Sequence, residues 1–340
     1  MLFSTIDEIR EKLKISSSVD FEVLKPILET VDREFLRPVL GAEMHDKLLE
    51  FYNAPPDEVV VPEPDPPVSP TLEQIATAMA KLLKLAQTAE IHLAYWFGFD
   101  LLNIAIMNDG FKRTETEKVK GLFKYQEDNL KTFFKSAGFN GLDSMLEYLD
   151  GPDKACFPEF HNNETGQQRK LMFIPRTDIF NQYYYIGQNR LLFMRLKQHM
   201  QIVEDMKIKL VLGDTNFNFI KTEMVKATPD PKVVAILPLI RNVIPYFSTA
   251  LLMEETASDL TDKGLFFDSI TSNGSDHSNH TPSTEARIAA MIQRNKNMGN
   301  HYLQVLKSYL LNHSDDWNNY SQPRHGLPNR DNTGKKTFWA

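Results

Sequence analysis

At 340 residues and 42% hydrophobic content, the chain can fill two ordinary cores without disulfide or metal staples. Its formal charge of −7 argues against nonspecific nucleic-acid binding, which needs a basic face, and a single cysteine, Cys156, excludes an intramolecular disulfide framework and a cysteine-rich zinc site. Met1-Leu-Phe-Ser-Thr-Ile-Asp-Glu8 lacks a basic start followed by an apolar stretch, and no run is expected to reach the ~18 apolar residues of a membrane span, so a cytoplasmic protein is expected.

Thr5-Ile-Asp-Glu8 fits a capping box, and Ile6, Ile9 and Leu13 then mark one face of a short helix. Ser16-Ser17-Ser18 breaks it. Asp20 can cap the next helix, in which Phe21, Leu24, Leu28, Val31 and Phe35 recur at three-and-four spacing. Gly41 predicts a tight corner before a further helix, since glycine takes a positive φ at least cost. Asn53 to Pro70 is proline-rich and acidic; its missing amide donors forbid helix and favour an extended, exposed path. Thr71-Leu-Glu-Gln74 starts a long helix running through Met79, Leu82 and Ala86 into Tyr95-Trp96-Phe97. Asp109-Gly110 predicts a turn. Thr114-Glu-Thr-Glu117 caps another helix that Gly138 is expected to close, and Leu142 to Leu149 predicts a shorter one.

The stretch from Phe21 to Gly41 then recurs. Phe21, Leu24, Lys25, Val31, Val39, Leu40 and Gly41 return as Phe193, Leu196, Lys197, Val203, Val211, Leu212 and Gly213, at a constant offset of 172 positions. Tyr148-Leu149 returns as Tyr309-Leu310 at an offset of 161, so the copies differ in loop length, chiefly at Asn53 to Pro70, where a length change is tolerated. Asp100-Leu101 pairs loosely with Asp259-Leu260. Gly151 to Arg176 reads as a polar, irregular link, and Ser269 to Pro282 as a disordered loop of the second copy. From Asp315 the chain is too polar and too rich in breakers for a packed helix, and its tip carries Phe338 and Trp339, an aromatic pair suited to docking on its own core or on a neighbour. The organisation expected is a first helical repeat over 1–151, a link over 152–176, a second repeat over 177–314 and a polar tail over 315–340.

Arg37-Pro-Val-Leu-Gly41, Met107-Asn-Asp-Gly110-Phe-Lys-Arg113, Gly141-Leu-Asp143-Ser-Met-Leu-Glu-Tyr-Leu149 and Leu212-Gly213, in that order, resemble an uncharacterised family of bacterial and phage proteins, over most of the chain. The resemblance implies a component of a prophage or related mobile element, similar in style to the small helical head-to-tail connector proteins that stack as rings between portal and tail. It supplies no catalytic residues to carry over. The loop from Ser269 to Pro282 departs from the Asp109-Gly110-Phe111 turn of the first copy, which sets the two halves apart in function.

Candidate chemistry is sparse. His277-Ser-Asn-His280 beside Asp276 places two imidazoles in one loop, but a metal site needs three or four rigidly held ligands, so a solvated loop is the favoured reading. Asp32 and Glu204 occupy equivalent positions and could approach one another as paired carboxylates; solvated helix faces beside Arg33 and Lys207 are the favoured alternative. Gly-x-Ser-x-Gly and phosphate-binding glycine patterns do not occur. Tyr95 to Phe99 reads as core. Tyr183-Tyr184-Tyr185 points three ways round a helix, so at least one ring faces outward as a contact surface.

The fold expected is all-α, two related helical bundles from an internal duplication with little or no sheet. Phe21, Leu24, Val31 and Leu40, with Phe193, Leu196, Val203 and Leu212, are expected to be buried. The function expected is non-enzymatic: a structural or assembly protein of phage or mobile-element origin, in the cytoplasm or in the virion. A helical module binding a peptide or small ligand is the alternative, and an enzyme of unknown reaction a third class. Partners expected are proteins, either further copies or phage structural proteins, through Tyr183, Tyr184, Tyr185, Phe338 and Trp339. No cofactor, metal, nucleic acid or membrane is expected.

Overall fold

The computed structural model describes residues 1–13, 20–54, 70–102, 104–107, 110–113, 123–187, 189–226, 228–256, 259–261, 264–266 and 285–317. Nearly all of the proline-rich stretch, the 269–282 loop, the Asp276, His277 and His280 group and the Phe338–Trp339 tip lie outside the described residues.

The fold is all-α, with two small antiparallel ribbons. In the first copy the Thr5 hydroxyl caps α1 (Ile6–Lys12) and the Asp20 carboxylate caps α2 (Phe21–Val31). A π-helical turn, Asp32–Leu36, widens the helix before α3 (Arg37–Leu40), and Gly41 at φ 78° turns the chain into α4 (Ala42–Asn53). The Thr71–Gln74 capping box forms and opens α5 (Leu72–Phe97), which α6 (Phe99–Leu102) follows. Then β1 (Ile104–Met107) pairs with β2 (Gly110–Arg113), Met107 opposite Gly110, and α7 (Lys124–Leu149) returns antiparallel along α5.

α7 runs unbroken through Gly138, where a helix end was expected. A Cβ on Gly138 would lie 2.7 Å from Cγ of Leu93, and one on Gly141 3.0 Å from Cα of Ala89, so these glycines let two helices approach closely. The expected irregular link is also mostly helical: a 3₁₀ turn at Pro152–Cys156, then α8 (Pro158–Asn162) and α9 (Glu164–Lys170). Phe157 and Phe160 are fully buried in the first core, which supplies the order that a polar composition conceals.

The second copy repeats the plan. It runs through α10 (Thr177–Tyr183), α11 (Arg190–Val203), a π turn at Glu204–Ile208 and α12 (Lys209–Met224), which bends at Gly213 with φ 74°. Then come α13 (Pro231–Thr256), β3 (Asp259–Thr261) paired with β4 (Gly264–Phe266), α14 (Glu285–Asn312) and a 3₁₀ turn at Ser314–Asp316. The π turns and the glycine corners keep the offset of 172. The second ribbon places Gly264 at the position of Gly110, an offset of 154, which replaces the loose Asp100–Asp259 match. Gly299 returns Gly138 at 161: its Cβ would lie 2.8 Å from the Phe247 ring. The chain beyond His313 is not wholly a solvated tail, since Trp317 is buried and seats in the second core as Phe157 does in the first.

Leu24, Val31 and Leu40 are buried, as are Phe193, Leu196, Val203 and Leu212, whereas Phe21, in the first turn of α2, is half-buried. Each copy closes its own core. The two meet where α7 packs on α11, and a charged belt binds the seam: Asp150 accepts from Arg169 at 2.9 Å and Arg176 at 3.1 Å, and Asp143 from the Thr177 hydroxyl at 3.0 Å and Arg190 at 3.3 Å. α13 is, against expectation, long and apolar enough to cross a membrane; 56% of its apolar window is buried between α11 and α14, the usual signature of a core helix.

Candidate functional site: a tyrosine-lined cavity

A cavity of about 330 Å³ opens in the second copy between the end of α10 and the helices α13 and α14. Its first wall is Tyr183 to Tyr185. These rings do not circle a helix as expected, because α10 ends at Tyr183 and Tyr184 is already extended, at φ −151° and ψ 115°. Asn181 fixes the departing loop: its Oδ1 accepts from the Ile186 N–H at 2.9 Å and its Nδ2 donates to the Gly187 carbonyl at 2.8 Å, while Gly187 takes φ 69°. The edge-on contact of Tyr184 with Phe180, centroids 6.2 Å apart, ties it to the core. Among the described residues Tyr185 has no such anchor, and it is 82% exposed.

The other walls come from far along the chain. Tyr246 on α13 meets Tyr184 edge to face, centroids 5.2 Å and planes 82° apart, and lies nearly parallel to Tyr302 at 5.4 Å. Burial, then the neighbouring Tyr302, pushes the Tyr246 hydroxyl above its usual range. On α14, Met291, Arg294, Asn295 and Met298 form a stripe at i, i+3, i+4 and i+7. Asn295 is buried and donates to the Tyr184 hydroxyl at 3.4 Å, whereas Arg294 is exposed and makes no ion pair among the described residues. Flat π faces, two thioethers, an amide and one guanidinium suit recognition of an extended or planar ligand, and among the described residues the lining contains no carboxylate, thiol or imidazole.

The sequence brought out Tyr183 to Tyr185 because they are consecutive. It missed Tyr246 and the α14 stripe, whose helical spacing was the available signal but which also describes an ordinary core face. Tyr95 and Trp96 belong to the packing of the first copy, Tyr95 stacked on Phe134 at 5.2 Å and Trp96 edge-on to Phe139 at 5.4 Å.

The equivalent acids Asp32 and Glu204 do not form a carboxylate pair, and neither sits on a solvated face. Both are buried, each within its own copy. Asp32 accepts from the Met1 amino group at 2.5 Å and pairs with His45 Nε2 at 2.9 Å; burial pushes its carboxyl up, but these bonds outweigh it and hold it below the usual range. His45 is raised, first by its bond to Asp32. Glu204 accepts from Lys221 at 2.5 Å and from the Phe173 N–H at 3.2 Å, and burial raises its carboxyl despite Lys221. In the first copy the N–H of Leu2 donates at 3.0 Å to Glu90, a fully buried acid pushed by burial, then by Asp32, up to about 8. Carbonyl groups match as well: Gln87 donates to that of Leu2 at 2.8 Å, and Arg241 to that of Phe173 at 2.8 Å. These acids hold lead segments in place. Cys156 is buried, and burial pushes its thiol up, away from a reactive thiolate. Among the described residues no group of three His, Cys, Asp or Glu side chains could hold a metal ion.

A sequence profile of the family of unknown function DUF6712 matches residues 36–170 and 208–330, well over half of the chain. The chain belongs to DUF6712. Both matched stretches of this DUF6712 protein open on the last residue of a π turn, Leu36 in one copy and Ile208 in the other, so the profile follows the structural repeat. No curated protein and no solved structure matches the chain.

Proposed function

We propose that this DUF6712 protein is a non-enzymatic assembly protein of phage or mobile-element origin, similar in role to head-to-tail connectors, which acts by contacting other protein subunits from the cytoplasm or within the virion. One observation carries the reading. The first ten residues of α7, about 15 Å of helix, bury no side chain, and they continue from Phe123, which is 70% exposed. Tyr125 and Phe133 on this arm are 48% and 53% exposed, and Phe97 and Leu101, at the facing end of α5 and beyond, are 47% and 59% exposed. Apolar surface gathered at one end of a helix pair is the usual mark of an interaction site. The resemblance carried by the Arg37 to Gly41 and Met107 to Arg113 motifs supports the phage assignment.

Sedimentation of the full chain over a wide concentration range, alone and with the products of neighbouring genes, tests the proposal. Complexes that Phe123→Asp with Phe133→Asp weakens at least tenfold are expected, as are portal, capsid or tail genes alongside. A chain that stays monomeric at every concentration and binds none of those products overturns it.

The tyrosine-lined cavity favours a second reading, a helical module that binds a peptide. Its walls are aromatic and amphipathic, with hydrogen-bonding groups at few points, as in peptide-recognition grooves.

A further inference from the structure

We propose that the occupant of the tyrosine-lined cavity is this chain's own acidic, proline-rich segment, residues 55–70; the proposal rests on the second reading, that the cavity binds a peptide. The segment reads Pro-Pro-Asp-Glu-Val-Val-Val-Pro-Glu-Pro-Asp-Pro-Pro-Val-Ser-Pro, seven prolines and four acids with no basic residue. Proline fixes φ near −65°, so such a sequence loses little conformational entropy on lying extended in a groove, and pyrrolidine rings pack on flat aromatic faces. The cavity supplies both halves of that recognition. Tyr184 and Tyr246 pack edge to face, centroids 5.2 Å apart, and together line the cavity as one aromatic wall, and Tyr185 stands exposed at its mouth. Their hydroxyl groups, with the Asn295 amide behind, present donors to the carbonyls that a proline-rich backbone leaves without intramolecular partners. Charge agrees as well: Arg294, exposed and without an ion pair among the described residues, faces a ligand bearing Asp57, Glu58, Glu63 and Asp65.

Duplication supplies an internal comparison. The first copy carries the proline-rich segment; at the offset of 154 that relates Gln87 to Arg241 and Leu93 to Phe247 it has His92 where the second copy has Tyr246, and at 161 it has Phe133 where the second copy has Arg294. Ligand and receptor have therefore been divided between two copies of one helical plan.

The test is fluorescence anisotropy of a labelled peptide of residues 54–70. It is titrated onto the full chain and onto a full-length variant with Pro55, Pro56, Pro62, Pro64, Pro66 and Pro67 replaced by serine. The peptide is expected to bind the serine variant about tenfold or more tightly than the parent, whose tethered segment competes at an effective concentration on the order of millimolar. Tyr185→Ala and Arg294→Ala, both at exposed side chains, are each expected to weaken that binding at least tenfold, and raised salt to weaken it further. A neutral polyproline peptide is run alongside. If it binds while the 54–70 peptide does not, the segment is the wrong occupant and the peptide-binding reading stands; if neither binds, both fall. Binding that ignores Tyr185→Ala and Arg294→Ala also overturns the proposal. None of these outcomes bears on the α7 arm, which sedimentation reads separately.

Discussion

Asp32 and Glu204 stand 172 residues apart as the first residues of two equivalent π turns, and each buried carboxylate is neutralised by a different cation. In the first copy the Met1 amino group and His45 serve Asp32; in the second Lys221 serves Glu204 from α12. Equivalent geometry has been kept while the source of positive charge changed.

The Glu204–Lys221 pair gives a direct prediction. Removing one partner of a buried pair strands the other without water or counter-charge, whereas replacing both with neutral groups does not. Lys221→Met is expected to destabilise the second copy by about 3–5 kcal/mol, and Glu204→Gln with Lys221→Met to recover much of that loss. Urea denaturation reads both, and equal losses from the single and double variants would refute the account.

Glu90 sets the pH response of the first copy. Its carboxyl is pushed up to about 8 from an ordinary 4.5, so between those values the folded state holds a proton that the unfolded state has lost. Stability from this group is therefore full below about pH 4.5 and is lost as pH rises through about 8, a change on the order of a few kcal/mol. His45, also raised, acts in the same direction, its contribution being present below 6.5 and lost above its folded value. Asp32 is lowered and acts on the acid side, contributing above 3.8 and losing that contribution as pH falls. Glu90→Gln keeps an oxygen to accept from Leu2 and carries no proton to lose. Its stability relative to the parent, followed by denaturation from acid to alkaline pH, is expected to improve as pH rises from about 4.5 to about 8 and to level off above that, and a constant difference across that range would refute the assignment.

Gly41 and Gly213 share a positive φ but not their surroundings. A Cβ at Gly41 would come within 2.3 Å of Nδ2 of Asn163, whose amide also donates to the Leu40 carbonyl at 3.0 Å, whereas nothing lies within 4 Å of one at Gly213. Gly213→Ala is expected to cost on the order of 1–3 kcal/mol from backbone strain alone, since φ 74° with ψ 159° is a conformation essentially reserved to glycine. Gly41→Ala carries that strain plus the loss of the Asn163 bond, about 1 kcal/mol more at least. Thermal or urea unfolding of both variants gives the order, and a larger loss at Gly213 would contradict the packing.

How much of this was legible follows from the range of each signal. Helical period, the Thr71–Gln74 cap and the Gly41 and Gly213 corners are decided within a few residues, so sequence alone determined the all-α class, most helices and the duplication itself. Gly138 failed as a local signal because its role is a close approach to Leu93, 45 residues away, and the polar stretch after Gly151 is ordered only because Phe157 and Phe160 find a core elsewhere. Tyr183 to Tyr185 were visible as an oddity, yet nothing local said that Tyr246 and Arg294 would face them. Likewise, sequence placed Asp32 and Glu204 at equivalent positions, while only the tertiary structure decided that both are buried and which cations meet them. Backbone preference is settled by neighbours along the chain; burial, charge pairing and cavities are settled by neighbours in space, which no short window contains.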